Sequence, residues 1–182
     1  MCINIKERIY YGKLVIAGFA GIGKTTLSKL NPKDVIDMEI RPYKYANYNL
    51  EYTLKQWYNM EHILNENFIP RYIEDVKNEI ENGTHKIIFI WLKKEVLEML
   101  ERENIKFIVA TWNEKGDGIE DYLRDLYVKR GNPEDWIKKV LKYLYVINEY
   151  AEEKGLETIV LNKNENIEMR LKQNKYENRE IK

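Results

Sequence analysis

The chain is predicted to adopt an α/β fold with three layers, in which helices cover both faces of a five-stranded parallel sheet. Short apolar runs alternate along the sequence with segments of helical periodicity, and a glycine-rich loop joins the first run to the first helical segment. Continuous apolar runs are typical of strands buried on both faces, as parallel strands are. Strands that alternate with helices form a parallel sheet between two helical layers.

Each element is predicted from a local pattern. Apolar runs predict five strands, over residues 13–18, 35–39, 86–92, 105–111 and 158–161. Apolar residues at helical spacing, together with proline and glycine signals at the ends, predict helices over residues 23–30, 50–64, 70–82, around 96–100, 119–130 and 133–154. In such a sheet the ligand is expected at the carboxyl ends of the strands.

Residues 18–25 fit the phosphate-binding pattern G-x-x-x-x-G-K-[ST]. A predicted strand precedes these residues and a predicted helix follows, which is the arrangement that phosphate binding requires. Glycines let the backbone amides surround phosphate oxygens, and the helix N-terminus adds partial positive charge. Lys24 would reach the β- and γ-phosphates, and the Thr25 hydroxyl would ligate Mg²⁺. The residues expected to bind nucleotide are Gly18, Phe19, Ala20, Gly21, Ile22, Gly23, Lys24, Thr25 and Thr26.

Composition excludes several classes of protein. Lys and Arg number 30 and so do Asp and Glu, so that no net field favours nucleic acid or an anionic membrane. No apolar segment approaches the length of a transmembrane helix, and the N-terminus lacks the apolar core of a signal peptide. The single cysteine, Cys2, forms no internal disulfide, so a cytoplasmic location is expected. Residues 173–182 have little to bury and are expected to form a flexible tail.

The motif and its context resemble the P-loop nucleoside triphosphate-binding superfamily. Motor-like and AAA-type ATPases carry an Asp-Glu pair after a second apolar strand, whereas Lys93 and Lys94 follow that strand here. No ABC-type signature and no correctly spaced guanine-reading N-K-x-D sequence is found. The order of elements over about 13–162 resembles the small-kinase branch, which includes nucleoside monophosphate kinases and shikimate kinase, and also resembles small phage-type and bacterial P-loop kinases.

This resemblance implies a single domain over 1–182, with a helical substrate-binding insertion at about 40–82 and a lid at about 112–132. It also implies ATP and Mg²⁺. Asp37 and Glu39 lie two apart on a predicted strand, so their side chains are expected on one face. By the resemblance, Asp37 would hold Mg²⁺ through water and Glu39 would grip an acceptor hydroxyl or act as its base. Glu39 stands where shikimate kinase-like enzymes carry a second Asp, and a solvated acidic strand end is the alternative.

Four arginines are candidates for binding phosphate, because a guanidinium matches phosphate oxygens bidentately. Arg41 and Arg71 would bind an acceptor phosphate, and Arg124 and Arg130 in the lid would offset charge on the transferring phosphoryl group. The alternative for each is a solvated surface arginine. Among the aromatic residues between 43 and 58, one ring is expected to contact a nucleobase, whereas the others pack into a core.

The expected activity is transfer of the γ-phosphoryl group of ATP to a nucleoside monophosphate or a similar small phosphorylated acceptor. Two alternatives stay open: a kinase for a hydroxylated metabolite without phosphate, and an ATP-binding regulatory module without catalysis. A polynucleotide 5′-kinase is disfavoured because the chain has no basic stripe. The sequence leaves open the acceptor, ATP or GTP as donor, and the oligomeric state.

Overall fold

The computed structural model describes residues 12–49 and 51–177 and forms a three-layer α/β fold. The strands within these ranges are β1 (Leu14–Gly18), β2 (Val35–Asp37), β3 (Ile87–Trp91), β4 (Ile108–Trp112) and β5 (Thr158–Leu161). The helices described are α1 (Lys24–Leu30), α2 (Arg41–Lys44), α3 (Leu54–Tyr58), α4 (Phe68–Asn82), α5 (Lys94–Arg102), α6 (Ile119–Lys129), α7 (Glu134–Glu153) and α8 (Ile167–Glu177). The five strands form one sheet and every pair is parallel, which confirms the predicted fold class.

The strand order is β2-β3-β1-β4-β5, which places β1 at the centre of the sheet. Ile16 of β1 pairs with Phe89 on one side and with Ile108 on the other. After β1 the chain runs towards β2, and after β4 it runs towards β5 in the opposite direction. Ligands of open α/β sheets bind at such a reversal, at the carboxyl ends of the strands. The loop that follows β1 therefore lies beside the expected ligand crevice.

The core lies between the sheet and the helices packed on it. All five residues of β1 and all five of β4 are buried, as expected for strands covered on both faces. Helix α4 buries one face, and its members recur at helical spacing as predicted: Tyr72, Ile73, Val76 and Ile80. The Tyr72 hydroxyl donates to the Met38 carbonyl (2.8 Å) and accepts from the Trp91 amide (2.9 Å), so this side chain ties together the ends of β2 and β3.

The helix predicted over residues 50–64 is wrong beyond one short turn. Thr53 and Gln56 form a capping box that starts α3, and the helix ends after Tyr58. The chain then turns back, and Tyr45 forms an antiparallel bridge with Leu64. Leu64 is 63% exposed, so it does not belong to the buried face that the spacing suggested. Leu50 lies outside the described residues.

One predicted chain end also differs in part from the structure. The predicted tail over 173–182 begins inside α8, which continues to Glu177, while residues 178–182 lie outside the described residues. This helix is anchored at its start: Ile167 is fully buried, and its amide donates to the Ile22 carbonyl (2.9 Å). Cys2 also lies outside the described residues. No helix within the described ranges is long and apolar enough to cross a membrane.

Candidate functional site

The glycine-rich loop, residues 18–25, has a backbone that only glycine adopts readily. Gly21 and Gly23 have φ angles of 85° and 101°, which lie in the left-handed region. Gly18 has no room for a side chain, because a Cβ atom there would lie 2.7 Å from Cδ of Lys24 and 2.8 Å from Cδ1 of Ile22. The spacing of glycines in the motif therefore corresponds to backbone geometry and close packing.

Residues distant in sequence hold this loop by its carbonyl groups. The Ala20 carbonyl accepts hydrogen bonds from the Trp112 indole nitrogen and the Tyr127 hydroxyl, both at 3.0 Å. The Ile22 carbonyl accepts from the amide of Ile167 at the start of α8. These three partners belong to β4, α6 and α8, so the helix of the predicted lid segment packs directly on the glycine-rich loop. Sequence reasoning missed all three anchors, because contacts of this kind carry no local signal.

Four consecutive amides of the same loop, those of residues 20–23, have no acceptor among the described residues. Gly23, which precedes α1, supplies no side-chain cap, and the first turn of α1 contains no acidic residue. Carbonyls held by the scaffold and consecutive free amides are the features of an anion-binding loop. The loop is thus chemically suited to phosphate.

Lys24 is half-buried against the glycine-rich loop. Its ammonium donates to the carbonyls of Gly18 and Phe19, each at 2.8 Å. Burial lowers the pKa of Lys24, and the charge of Arg130 adds to that, whereas Asp37 and Glu39 oppose it. Three charged side chains, on two other segments of the chain, therefore act on Lys24 at this edge of the sheet.

Thr25 and Asp37 are the two residues suited to hold Mg²⁺. The Thr25 hydroxyl donates to the Asp37 carboxylate at 2.6 Å, which brings the start of α1 to the end of β2. Burial raises the pKa of Asp37, although Lys24 and the hydrogen bond from Thr25 oppose the shift. No group of three or more His, Cys, Asp or Glu side chains that could hold a metal occurs among the described residues. Mg²⁺ commonly takes only one or two carboxylates and completes its shell with water and substrate phosphates, so this pair fits it.

Glu39 and Arg41 form an ion pair at the entrance to α2. The carboxylate of Glu39 accepts from Nη2 of Arg41 at 2.8 Å and from the Arg41 amide at 3.3 Å. Burial would raise the pKa of Glu39, but these hydrogen bonds and the charge of Arg41 outweigh it and lower the pKa. The prediction that Glu39 lies on a strand with Asp37 is wrong, because β2 ends at Asp37 and the Glu39 amide donates to the Asp37 carbonyl (3.0 Å) in a tight turn.

The two predicted lid arginines occupy different environments. Arg124 forms an ion pair with Glu134 of α7. Arg130 ends α6 and has no ion-pair partner among the described residues, and its charge lowers the pKa of Lys24. Arg130 therefore acts electrostatically on Lys24 of the glycine-rich loop, whereas Arg124 is engaged by Glu134.

The remaining acceptor-side candidates are mostly engaged elsewhere. Arg71 is exposed on α4, where its charge acts on Tyr43. The aromatic cluster is defined by Tyr45, Tyr48, Trp57 and His62. Trp57 is 3% exposed. The centroid of its ring lies 4.0 Å from the centroid of the His62 ring, 4.9 Å from that of Tyr45 and 5.0 Å from that of Tyr48. These rings pack mainly on one another, as was expected for most of this set, and the contact of one ring with a nucleobase stays a prediction.

One contact between the predicted insertion and the predicted lid was not foreseen. The sequence Asn132-Pro133 is typical of a cap and first turn, but Pro133 itself precedes α7, and the side-chain Nδ2 of Asn132 instead donates to the Tyr58 hydroxyl at 3.0 Å. An asparagine before a proline gives the same sequence signal whether it caps a helix or reaches a distant side chain. This contact was therefore not predictable from the pattern alone.

No protein-family model matches the chain, and no curated protein matches its sequence.

Proposed function

We propose that the protein is an ATP- and Mg²⁺-dependent phosphotransferase that moves the γ-phosphoryl group of ATP to a nucleoside monophosphate or a similar small phosphorylated acceptor. The observation that carries this is the glycine-rich loop: its amides at residues 20–23 are unpartnered within the described chain, and the Lys24 ammonium lies on its carbonyls. An acidic residue, Asp37, is hydrogen-bonded to the next loop residue, Thr25. Free amides, a cation and a hydroxyl–carboxylate pair together match the needs of a triphosphate bound with Mg²⁺.

On the donor side, the loop amides and Lys24 would hold the triphosphate, and Lys24 would exchange its two carbonyl partners for phosphate oxygens. Thr25 and Asp37 would hold Mg²⁺, which neutralises charge that develops on the phosphates. Arg130 has no ion-pair partner among the described residues and would offset charge from the side of α6. The chain's contribution is positioning and electrostatic stabilisation, which supply most of the catalysis in phosphoryl transfer.

On the acceptor side, the Glu39–Arg41 pair favours a phosphorylated acceptor over a plain alcohol. An alcohol needs a general base, and the hydrogen bonds from Arg41 that lower the pKa of Glu39 make this carboxylate a weak one. A phosphate oxygen is already deprotonated at neutral pH and attacks without a base. Arg41 uses only Nη2 among its side-chain nitrogens towards described residues, so Nε and Nη1 are available for an acceptor phosphate.

The test is ADP release from Mg-ATP by the purified full chain, alone and with each of a panel of ribo- and deoxynucleoside monophosphates, shikimate and simple polyols. The proposal expects the rate to rise with at least one monophosphate and not with the polyols. In the Lys24→Met variant the stimulated rate should fall by about a thousandfold, because the cation on the transferring phosphate is lost. A stimulated rate unchanged by this substitution would contradict the assignment.

A nucleotide-binding module without catalysis is the second candidate, and one observation favours it. The strand β3, which lies beside β1, is followed by Leu92, Lys93 and Lys94 rather than by an acid. These two lysines lie over the rings of Tyr143 (4.2 Å) and Tyr150 (5.0 Å). Saturable binding of Mg-ATP with no acceptor-dependent ADP release across the panel would favour this candidate.

A further inference from the structure

Among the described residues, a single hydrogen bond joins the two segments that flank the glycine-rich loop, the predicted insertion and the predicted lid. Tyr58 ends α3 in the predicted insertion, and Asn132 lies in the turn between α6 and α7. The Nδ2 atom of Asn132 donates to the Tyr58 hydroxyl oxygen at 3.0 Å. The sequence separation of 74 residues makes this a tertiary contact rather than a product of local structure.

The bond leaves one polar group on each residue without a partner. The Oδ1 atom of Asn132 is buried and accepts no hydrogen bond from any described residue. The Tyr58 hydroxyl accepts from Asn132, and its own proton goes to no acceptor in the described chain. Buried polar atoms without partners are uncommon and destabilising, so a group that satisfies them on binding gains affinity. An unpartnered acceptor and an unpartnered donor thus lie side by side.

Two guanidinium groups act on the same place. The positive charges of Arg41 and Arg130 both lower the pKa of Tyr58, although burial, the larger effect, raises it. Arg41 also lies over the ring of Tyr48, with 5.2 Å between the guanidinium carbon and the ring centroid. Arg41 belongs to α2 and Arg130 to the end of α6, so cations from both flanking segments lie near the Tyr58–Asn132 bond. The surroundings favour an anion that also carries neutral hydrogen-bonding groups.

We propose that Tyr58 and Asn132 are specificity-determining residues that bind the base of a nucleoside monophosphate, while Arg41 and Arg130 face its phosphate. The inference rests on the proposed function, because it assigns an acceptor to the same site. A nucleobase edge presents a hydrogen-bond donor beside an acceptor, which is the complement of the free Asn132 oxygen and the free Tyr58 proton. Inorganic phosphate would engage the arginines and leave both groups unsatisfied.

The experiment measures binding of AMP, GMP, CMP, UMP and inorganic phosphate to the full chain by isothermal titration calorimetry without ATP. At least one monophosphate should bind about tenfold or more tightly than inorganic phosphate. Tyr58→Phe and Asn132→Ala should each weaken that monophosphate about five- to twentyfold, the usual effect of losing one such hydrogen bond, and leave phosphate affinity unchanged. Tyr52→Phe and Asn59→Ala, both on exposed residues of the same insertion, are the matched controls and should change neither affinity.

Two results would overturn the inference. One is that no monophosphate binds more tightly than inorganic phosphate, and the other is that Tyr58→Phe, which keeps the size and packing of the ring, binds it as tightly as wild type. Lys24→Met separates this test from that of the proposed function. It should lower phosphoryl transfer about a thousandfold and leave monophosphate affinity unchanged. Failure of the wild type to bind Mg-ATP would contradict the proposed function and leave the monophosphate result standing.

Discussion

The glycine-rich loop and the aromatic cluster lie on two sides of the candidate site and are held in different ways. The loop is fixed through its backbone, by left-handed glycines and by carbonyls that accept from Trp112 and Tyr127. The aromatic cluster is organised around one buried side chain, Trp57, and is rimmed by exposed residues such as Ile63 and Leu64. The proposed triphosphate site is therefore built into the sheet, whereas the proposed acceptor site depends on a few side-chain contacts. The two sides should respond separately to substitution.

The largest loss of Mg-ATP affinity is expected from Gly23→Ala. At a φ of 101° an alanine is strained by about 1–2 kcal/mol, and relaxing that strain moves amides that would bind phosphate, each worth about 1.5–3 kcal/mol. Affinity for Mg-ATP should fall by about a hundredfold or more by calorimetry, with little change in monophosphate binding.

Gly155→Ala is the matched control for that substitution. Gly155 also has a positive φ, 62°, and nothing lies within 4 Å of an added Cβ atom. It should lower the free energy of unfolding by about 1 kcal/mol and leave Mg-ATP affinity as it was. Equal losses of Mg-ATP affinity in the two variants would show that the loop geometry has no special role.

Trp57→Ala tests the aromatic cluster. Removing this buried ring should destabilise the aromatic cluster by about 3 kcal/mol, the lower end for a large aromatic, because the cluster has an exposed rim. Hydrogen exchange of residues 45–64 should accelerate, and acceptor KM should rise about tenfold while Mg-ATP affinity holds. Leu54→Ala in the same helix should do much less, and a parallel loss of Mg-ATP affinity in Trp57→Ala would contradict the separation of the two sides.

The two lid arginines offer a smaller and sharper contrast. Arg130→Ala should lower acceptor-dependent ADP release about tenfold, because it removes a charge that acts on Lys24. Arg124→Ala breaks a half-exposed ion pair with Glu134, which is worth about 0.5 kcal/mol, and should leave the rate within about twofold. A larger loss of rate in Arg124→Ala than in Arg130→Ala in steady-state assays would show that Arg130 does not belong to the site.

The smallest effect concerns stability and comes from Asp37→Asn. Burial raises the pKa of Asp37 above its ordinary 3.8, so the folded chain holds this proton more tightly than the unfolded chain. Stability contributed by the protonated group is then lost as pH rises from 3.8 through the folded-state pKa. Asp37→Asn should raise Tm by a few degrees at most at pH 7 and leave it unchanged near pH 3. A lower Tm at pH 7 would show that the carboxylate stabilises the fold.

The sequence predicted the sheet better than the insertion, for a physical reason. Buried parallel strands such as β3 are continuous apolar runs, and Gly21 and Gly23 have backbone angles that no other residue adopts easily. In the insertion, apolar residues at helical spacing belong to a segment that is mostly not helical. Its helix α3 ends at Tyr58, and Tyr45 then pairs with Leu64 in an antiparallel bridge. Spacing alone does not distinguish a helical face from a loop that closes over one tryptophan.

In the candidate site, too, contacts that follow from local sequence were predictable and contacts between distant segments were not. The proximity of Thr25 to Asp37 follows from the position of each at the end of its own element, and the motif points to it. The pairing of Asn132 with Tyr58 joins segments 74 residues apart, and the anchors of Ala20 come from β4 and α6. Such contacts depend on how the elements pack, so they needed the structure.

The most direct test of the central claim is calorimetric binding of Mg-ATP to the wild type and to Lys24→Met, with Lys29→Met as control. Lys29 lies on the same helix but is exposed, so the two variants remove equal charge from α1 and differ in their relation to the loop. The account predicts saturable binding to the wild type and to Lys29→Met, and a loss of at least about tenfold in Lys24→Met. Equal affinity in all three proteins, or no binding by the wild type, would contradict the claim that residues 18–25 form a triphosphate site.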